Sequence, residues 1–294
     1  PGDECIPPKS GAKDEPVERK CGESVAPPAS GKVSHKSETL PGKELIDHMY
    51  FERTETSSGD DETVIAQTDK GVFLSHDHGK TWKEILKDQK IKYVVRHKYL
   101  NDRVYFIADD RHVYYSLDRG DNIRKFDSKV PHKAKWSVAA PMVFHPTKKD
   151  WIIWTGVDED DGHAVASIST DRGDSWKKMT MARYVRKCEF IYEEHNLLKK
   201  KLNEKLVFCE IRTKESADSS GNPWKLVSST DFFMEEAKDL FPDILDFATM
   251  NEFIVVAAKD KDGELMVEAS VDGEHFDKAL FPSNFHVPHQ HGYT

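Results

Sequence analysis

From Leu45 onward the chain is built of short apolar runs rich in Val, Ile, Tyr and Phe, each bounded by clusters of Asp, Gly or Lys. Runs of this kind, β-branched and aromatic between turn formers, predict strands joined by tight turns. The clearest are Thr63–Gln67, Arg103–Ile107, Trp151–Thr155, Leu206–Cys209 and Phe253–Ala257. Two stretches break the grammar: charge spacing over Glu193–Lys205 predicts a helix, and Met234–Leu240 a short helical turn, both inserted between strands. Residues 1–43 read differently. Pro7, Pro8, Pro27, Pro28 and Pro41, set among Ser, Gly, Lys and Glu, mark a linker or loop-rich tail that cannot form a core by itself.

One motif returns five times. Its fullest copies run Ser75-His-Asp77-His-Gly79-Lys-Thr-Trp82 and Ser169-Thr-Asp171-Arg-Gly173-Asp-Ser-Trp176. A third, Ser116-Leu-Asp118-Arg-Gly120-Asp-Asn122-Ile123, has Asn-Ile where Thr-Trp is expected. Ser229-Thr-Asp231-Phe-Phe233 has lost its Gly, and Ser270-Val-Asp272-Gly273 completes the set. The leading serines are 41, 53, 60 and 41 residues apart, the spacing of propeller blades. The chemistry is that of a pinned turn: Ser and Asp side chains bond backbone amides, and Gly takes the positive φ that a side chain penalises. Trp then starts the return strand and buries its ring, and each such hairpin is expected to supply the middle strands of a four-stranded blade. The pattern resembles the Asp box of sialidases and other propellers, which implies an all-β partial β-propeller of about five blades and no catalytic duty for the box. The second and fourth copies, having departed from the pattern, are expected to be looser.

Length and composition narrow the function. The 294 residues suit two domains or one large all-β domain, and 37% hydrophobic residues are enough for a core. A net charge of -9, with Lys and Arg mixed among Asp and Glu throughout, argues against a nucleic-acid partner. No run approaches the length of a membrane span. The chain opens on Pro1 without a charged-then-apolar leader, the pattern of a processed chain or fragment. Cys5, Cys21, Cys188 and Cys209 form an even set with no Cys-x-x-Cys pair, which points away from a zinc ribbon or thioredoxin-type site. Two disulfides in an oxidising lumen, or four buried thiols in a cytosolic chain, are the readings left open.

Several segments go further. Leu265–Gly273, continuing through Phe276, Ala279, Phe281 and Pro282 into Phe285–Thr294, resembles the sortilin family and in particular its fungal vacuolar sorting receptors. Arg186–Phe190 with Leu206–Glu210 is similar to that family's intrablade disulfide segment, and Trp224–Phe233 fits as well; together these cover about residues 45–294. The resemblance implies a Cys188–Cys209 disulfide. It leaves the partner of Cys5 between Cys21 and residues upstream of this chain. It implies that residues 1–43 are the end of a cysteine-rich module and a linker, and that 44–294 are the N-terminal half of a ten-bladed propeller in a single-pass receptor. Such a receptor works in the lumen of the late Golgi and endosome, where it binds soluble vacuolar hydrolase precursors such as carboxypeptidase Y against the inner face of its ring. The resemblance implies no cofactor and no membrane contact by this segment, and it assigns no ligand contact to a particular residue here.

Other clusters have plainer readings. His286, His289 and His291 invite a metal, but a solvated loop is the expectation, because no carboxylate stands with them. Asp158, Glu159, Asp160 and Asp161 do not have the spacing of a calcium loop and read as a solvated turn, and Lys199–Lys201 as an exposed face. The fourteen histidines suggest cargo release on protonation in mild acid, with no single residue nominated. The competing functions are an Asp-box glycosidase of the sialidase type and a purely structural propeller segment. The arginines are scattered and no nucleophile–base motif occurs, so the expectation is a binding protein, not an enzyme.

Overall fold

The computed structural model describes residues 39–51, 62–134, 140–194, 200–213 and 224–279, and the backbone of two short strands nearer the N-terminus. Those two, β1 (Glu4–Cys5) and β2 (Arg19–Lys20), pair antiparallel in a unit, Pro1–Glu38, that is separate from the unit Thr39–Thr294. Cys21 and the histidines at 286, 289 and 291 lie outside the described residues.

The second unit is a succession of antiparallel sheets, each a meander in chain order. The first holds β3 (Leu45–Phe51), β4 (Thr63–Thr68), β5 (Val72–Ser75) and β6 (Lys83–Ile85). The second holds β7 (Ile91–Arg96), β8 (Val104–Ala108), β9 (Val113–Ser116) and β10 (Ile123–Lys125). In the third, two short strands, β11 (Lys133–Ala134) and β12 (Met142–Phe144), share the place of a first strand beside β13 (Ile152–Val157), followed by β14 (Ala164–Ser169) and β15 (Lys177–Arg183). The fourth holds β16 (Val185–Phe190), β17 (Val207–Ile211), β18 (Lys225–Ser229) and β19 (Lys238–Phe241). The fifth holds β20 (Ile244–Met250), β21 (Phe253–Lys259), β22 (Leu265–Ser270) and β23 (Asp277–Lys278).

Alternating side chains of the three middle sheets enter two different apolar layers, so that the five sheets pack face to face in succession. Val104 and Phe106 of β8 join Ile65, Val72 and Leu74 of the first sheet, while Tyr105 and Ile107 join Ile152 and Trp154 of the third. In β17, Val207 and Cys209 face Ile153 and Ala166 of the third sheet, and Phe208 faces Ile254 and Val256 of the fifth. This serial stacking of four-stranded meanders is the architecture of a β-propeller, here as an arc. It also explains the sequence: the five clearest apolar runs are the second strands of the five sheets, which lose the usual in–out alternation because both faces are covered. The exception is β21, where Phe253 and Val255 remain 40% and 44% exposed on the face turned away from the fourth sheet.

One helical expectation fails and the other lies partly outside the described residues, among which there is no helix. Met234–Leu240 is the end of a box turn followed by strand β19, because the Asp231 carboxylate accepts the amides of Met234 and Glu235 and returns the chain as an edge strand. Around 193–205, residues 195–199 lie outside the described set and the rest is irregular. Leu202 and Leu206 are buried beneath the fifth sheet, and Lys200 is tied to Asp272 and Glu274. The boxes also sit elsewhere than expected, joining the third and fourth strands of each sheet and not the two middle ones.

Candidate functional site

Each box serine is buried, with 1–4% exposure, and its hydroxyl is spent within the turn. Ser75 Oγ donates to Asp77 (2.9 Å) and accepts from the Gly79 amide (2.8 Å); Ser169 does the same with Asp171 (2.8 Å) and Gly173 (2.7 Å). The Asp then accepts the amide and hydroxyl of Thr81, or of Ser175, at 2.6–2.9 Å. Those bonds pull the Asp77 carboxyl down to about 2, the amide of Thr81 contributing most. At Asp171 burial opposes ionisation, but the bonds from Ser175 and Ser169 outweigh it and the pKa is lowered. The arrangement clamps a turn and leaves no hydroxyl free to act as a nucleophile.

The two copies expected to be loose are as tightly made as the rest. Asn122 imitates Thr: its amide bonds Asp118 Oδ1 at 2.8 Å and its Nδ2 bonds Oδ2 at 2.6 Å, while Ser116 Oγ still takes the Gly120 amide at 2.8 Å. In the fourth copy Phe233 adopts φ 57° in place of Gly, and its amide reaches Ser229 Oγ at 2.9 Å, with Asp231 accepting Ser229 Oγ at 2.6 Å. Burial of the Phe233 ring against the third sheet offsets the cost of a left-handed backbone, about 1 kcal/mol. The fifth copy is one residue shorter: Gly273 donates to Ser270 Oγ at 2.8 Å, and His275 donates to Asp272 through its amide at 2.9 Å. Trp82 and Trp176 are half-buried, not buried. The Trp176 indole donates to the Gly173 carbonyl at 3.1 Å.

The Cys188–Cys209 disulfide is present, joining residues directly opposite each other on β16 and β17, both fully buried. The acidic run is a turn held by ion pairs, with Asp158 to Lys178, Glu159 to Arg111 and Asp161 to Arg183. Asp272, Glu274 and His275 come together in the fifth box, but the Lys200 ammonium, 3.3 Å from Asp272 and 2.7 Å from Glu274, supplies the positive charge a metal would otherwise bring. Lys201 is exposed, as expected, and Lys199 lies outside the described residues.

The first strands of successive sheets form a row. β12, β16 and β20 lie beside one another, so these strands line the inside of the arc. Arg186 of β16 pairs with the buried Glu210 and donates to the Leu245 carbonyl at 2.6 Å, its guanidinium lying 4.7 Å from the centre of the Trp224 ring. Arg212 sits over the same indole at 4.1 Å. Lys187 bonds Asp246 at 3.1 Å. Beside them burial pushes the Glu189 carboxyl up, against the pull of Lys98 and Lys187. Lys98, at the end of the second sheet's first strand, reaches Thr249 Oγ1 of the fifth sheet at 3.2 Å and its carbonyl, a contact between residues 151 apart. Exposed apolar side chains stand on two of the first strands: Leu45, Ile46 and Tyr50 on β3, and Leu245 and Met250 on β20. None of this seam was identified from sequence, because isolated charges become a row only once the sheets stack.

A Sortilin–Vps10 family model, described as sortilin, neurotensin receptor 3, matches residues 70–294. The chain is similar to the vacuolar protein sorting/targeting protein 10 of Blastomyces gilchristii, 39% identical over 302 residues, covering 100% of this chain and 19% of that protein. It is also similar to its counterpart in Aspergillus terreus, 38% identical over 304 residues, covering 100% and 19%. The chain thus spans about a fifth of the length of these relatives. Among solved structures it is similar to the β-propeller domain of the Trilobed protease from Pyrococcus furiosus, with TM-score 0.47, 10% identity, and coverage of 78% of this chain and 71% of that one. An uncharacterized protein from Listeria monocytogenes gives TM-score 0.46 and 12% identity, with coverage of 75% and 62%.

Proposed function

The chain belongs to the Sortilin–Vps10 family, and from that premise we propose that it is part of a luminal sorting receptor. This receptor captures soluble vacuolar hydrolase precursors, of the carboxypeptidase Y type, in the late Golgi and carries them to the endosome and vacuole. The observation that carries the reading is the 39% identity to a vacuolar sorting protein, maintained over the whole chain and not confined to the box motifs. The buried disulfide supports it, since such bonds persist in oxidising compartments.

Binding, not bond-making, is the chemistry of this reading. An extended cargo segment pairs with a free first-strand edge while its side chains meet exposed apolar residues such as Leu45, Ile46 and Leu245. Residues 1–43 are then the seam from a preceding cysteine-rich module, with Cys5 bonded to Cys21 or to an upstream residue, and 44–294 the N-terminal half of a ten-bladed ring. The exposed apolar face of β21 supports continuation into another sheet, because the four interfaces before it are closed by the same kind of face.

The test is biolayer interferometry with the carboxypeptidase Y precursor, its isolated propeptide and the mature enzyme. Precursor and propeptide are expected to bind saturably and mature enzyme not; equal binding of all three, or of none, refutes the assignment. Incubation with a fluorogenic sialoside and with xyloglucan is expected to release nothing.

A further inference from the structure

In two of the boxes the residue that starts the return strand, seven places after the serine or six in the shorter fifth copy, has a ring that closes the wedge toward the preceding sheet, whereas the fourth box has Glu236 there. In the third sheet this is Trp176, packed against the layer between sheets two and three. In the shorter fifth box it is Phe276, edge-on to Phe241 of the fourth sheet at 5.1 Å. In the second sheet the same place holds Ile123, and there the wedge is open. Gly120 brings sheets one and two together at its floor, where an added Cβ would stand 3.3 Å from Leu74 Cδ1. Outward from that contact the sheets diverge around a cleft of about 590 Å³, with Leu74, Ile85, Leu86, Tyr114 and Ile123 as its apolar wall. The ion pair His76–Asp121, at 2.7 Å, links the two sheets at one end.

The rim is basic in an acidic chain. Lys83, Arg124 and Lys125 line it, all exposed and without a carboxylate partner among the described residues; of the two carboxylates that also line it, Asp121 is paired with His76, which leaves Glu84 against three cations. The last strands on either side, β6 and β10, each offer one unpaired edge to an incoming main chain. A volume of this size falls in the range of ligand sites.

We propose that this outer cleft between the first two sheets is a docking site for an extended acidic segment of a partner protein, which inserts one aromatic side chain where the box lacks its own. The site lies on the outside of the arc and is independent of capture on the first strands. The experiment uses the full chain and three labelled, blocked peptides: Glu-Glu-Trp-Glu, Glu-Glu-Ala-Glu and Lys-Lys-Trp-Lys. Fluorescence anisotropy is expected to saturate with the first alone, and methyl resonances of Leu74, Ile85 and Ile123 to shift with it. Ile123→Trp, which restores the ring, is expected to lower that affinity at least tenfold with an unchanged or higher melting temperature. Reversing the rim (Lys83→Glu, Arg124→Glu, Lys125→Glu) is expected to do likewise without loss of fold. Absence of saturation, equal binding of the basic peptide, or an Ile123→Trp variant that is folded and binds undiminished overturns the proposal.

Discussion

Lowering the pH from 7.5 to 5.5 should destabilise the seam joining sheets two, three and four, and two buried histidines set the size of the effect. His97 is 2% exposed, stacks on Phe144 at 4.3 Å and accepts the amides of Tyr99 and Leu100 on Nδ1, both at 3.1 Å. His145 is 0% exposed, accepts the amides of Thr147 (3.2 Å) and Lys148 (2.9 Å) on Nδ1, and donates from Nε2 to the Glu204 carbonyl at 2.9 Å. Nδ1 can accept only when the ring is neutral. Burial holds both pKa values down to about 4, helped at His97 by the charge of Arg103. The unfolded chain takes up these protons near pH 6.5, well before the folded one does, so the stabilisation is complete above that pH and declines as the pH falls toward 4. At pH 5.5 each site has lost about 1.4 kcal/mol, together about 3 kcal/mol, a fall of roughly 6–12 °C in Tm for a unit of this size. Burial raises Glu189 and Glu210, which act in the opposite sense, and they are common to wild type and variant. The assay is therefore differential: thermal melts of wild type and of His97→Gln/His145→Gln at both pH values. The double variant should show a distinctly shallower pH dependence. Equal slopes for the two proteins would refute the reasoning.

Replacing both Cys188 and Cys209 by Ser should cost about 3 kcal/mol in urea titrations, from the entropy of a loop spanning 21 residues, and dithiothreitol should no longer affect the variant. Gly173→Ala and Gly162→Ala both place a side chain at positive φ, 82° and 72°, but only the former drives a Cβ to 2.5 Å from the Phe126 ring; it should cost about 3 kcal/mol or more, and the latter about 1. Asp231→Ala removes the acceptor of the Met234 and Glu235 amides and should lower stability by about 2 kcal/mol in the same titration, despite the missing Gly of that box.

The strands that could be read from sequence were those covered on both faces, since Val104–Ala108 or Ile152–Trp154 cannot be mistaken for a solvated turn. The boxes were legible because Ser and Asp act within four residues of themselves. Beyond that range the reading stopped. Asn122 standing in for Thr, and Phe233 held in a glycine conformation, depend on side-chain geometry that a motif does not encode. Met234–Leu240 had the composition of a helix, but the Asp231 carboxylate had already committed its amides. The Arg186–Glu210–Trp224 cluster lies in segments that the resemblance picked out, but the pairing of Arg186 on β16 with Glu210 on β17 and with the Trp224 ring just before β18 appears only when the sheet forms.

The span from Lys98 to Thr249 has a mechanical consequence. Sliding one sheet from its neighbour means exposing a whole apolar layer, whereas parting this lysine from its two oxygens means exchanging a few hydrogen bonds for water. Bending therefore costs the arc far less than delamination, and the compliant coordinate of the molecule is the radius of its inner rim.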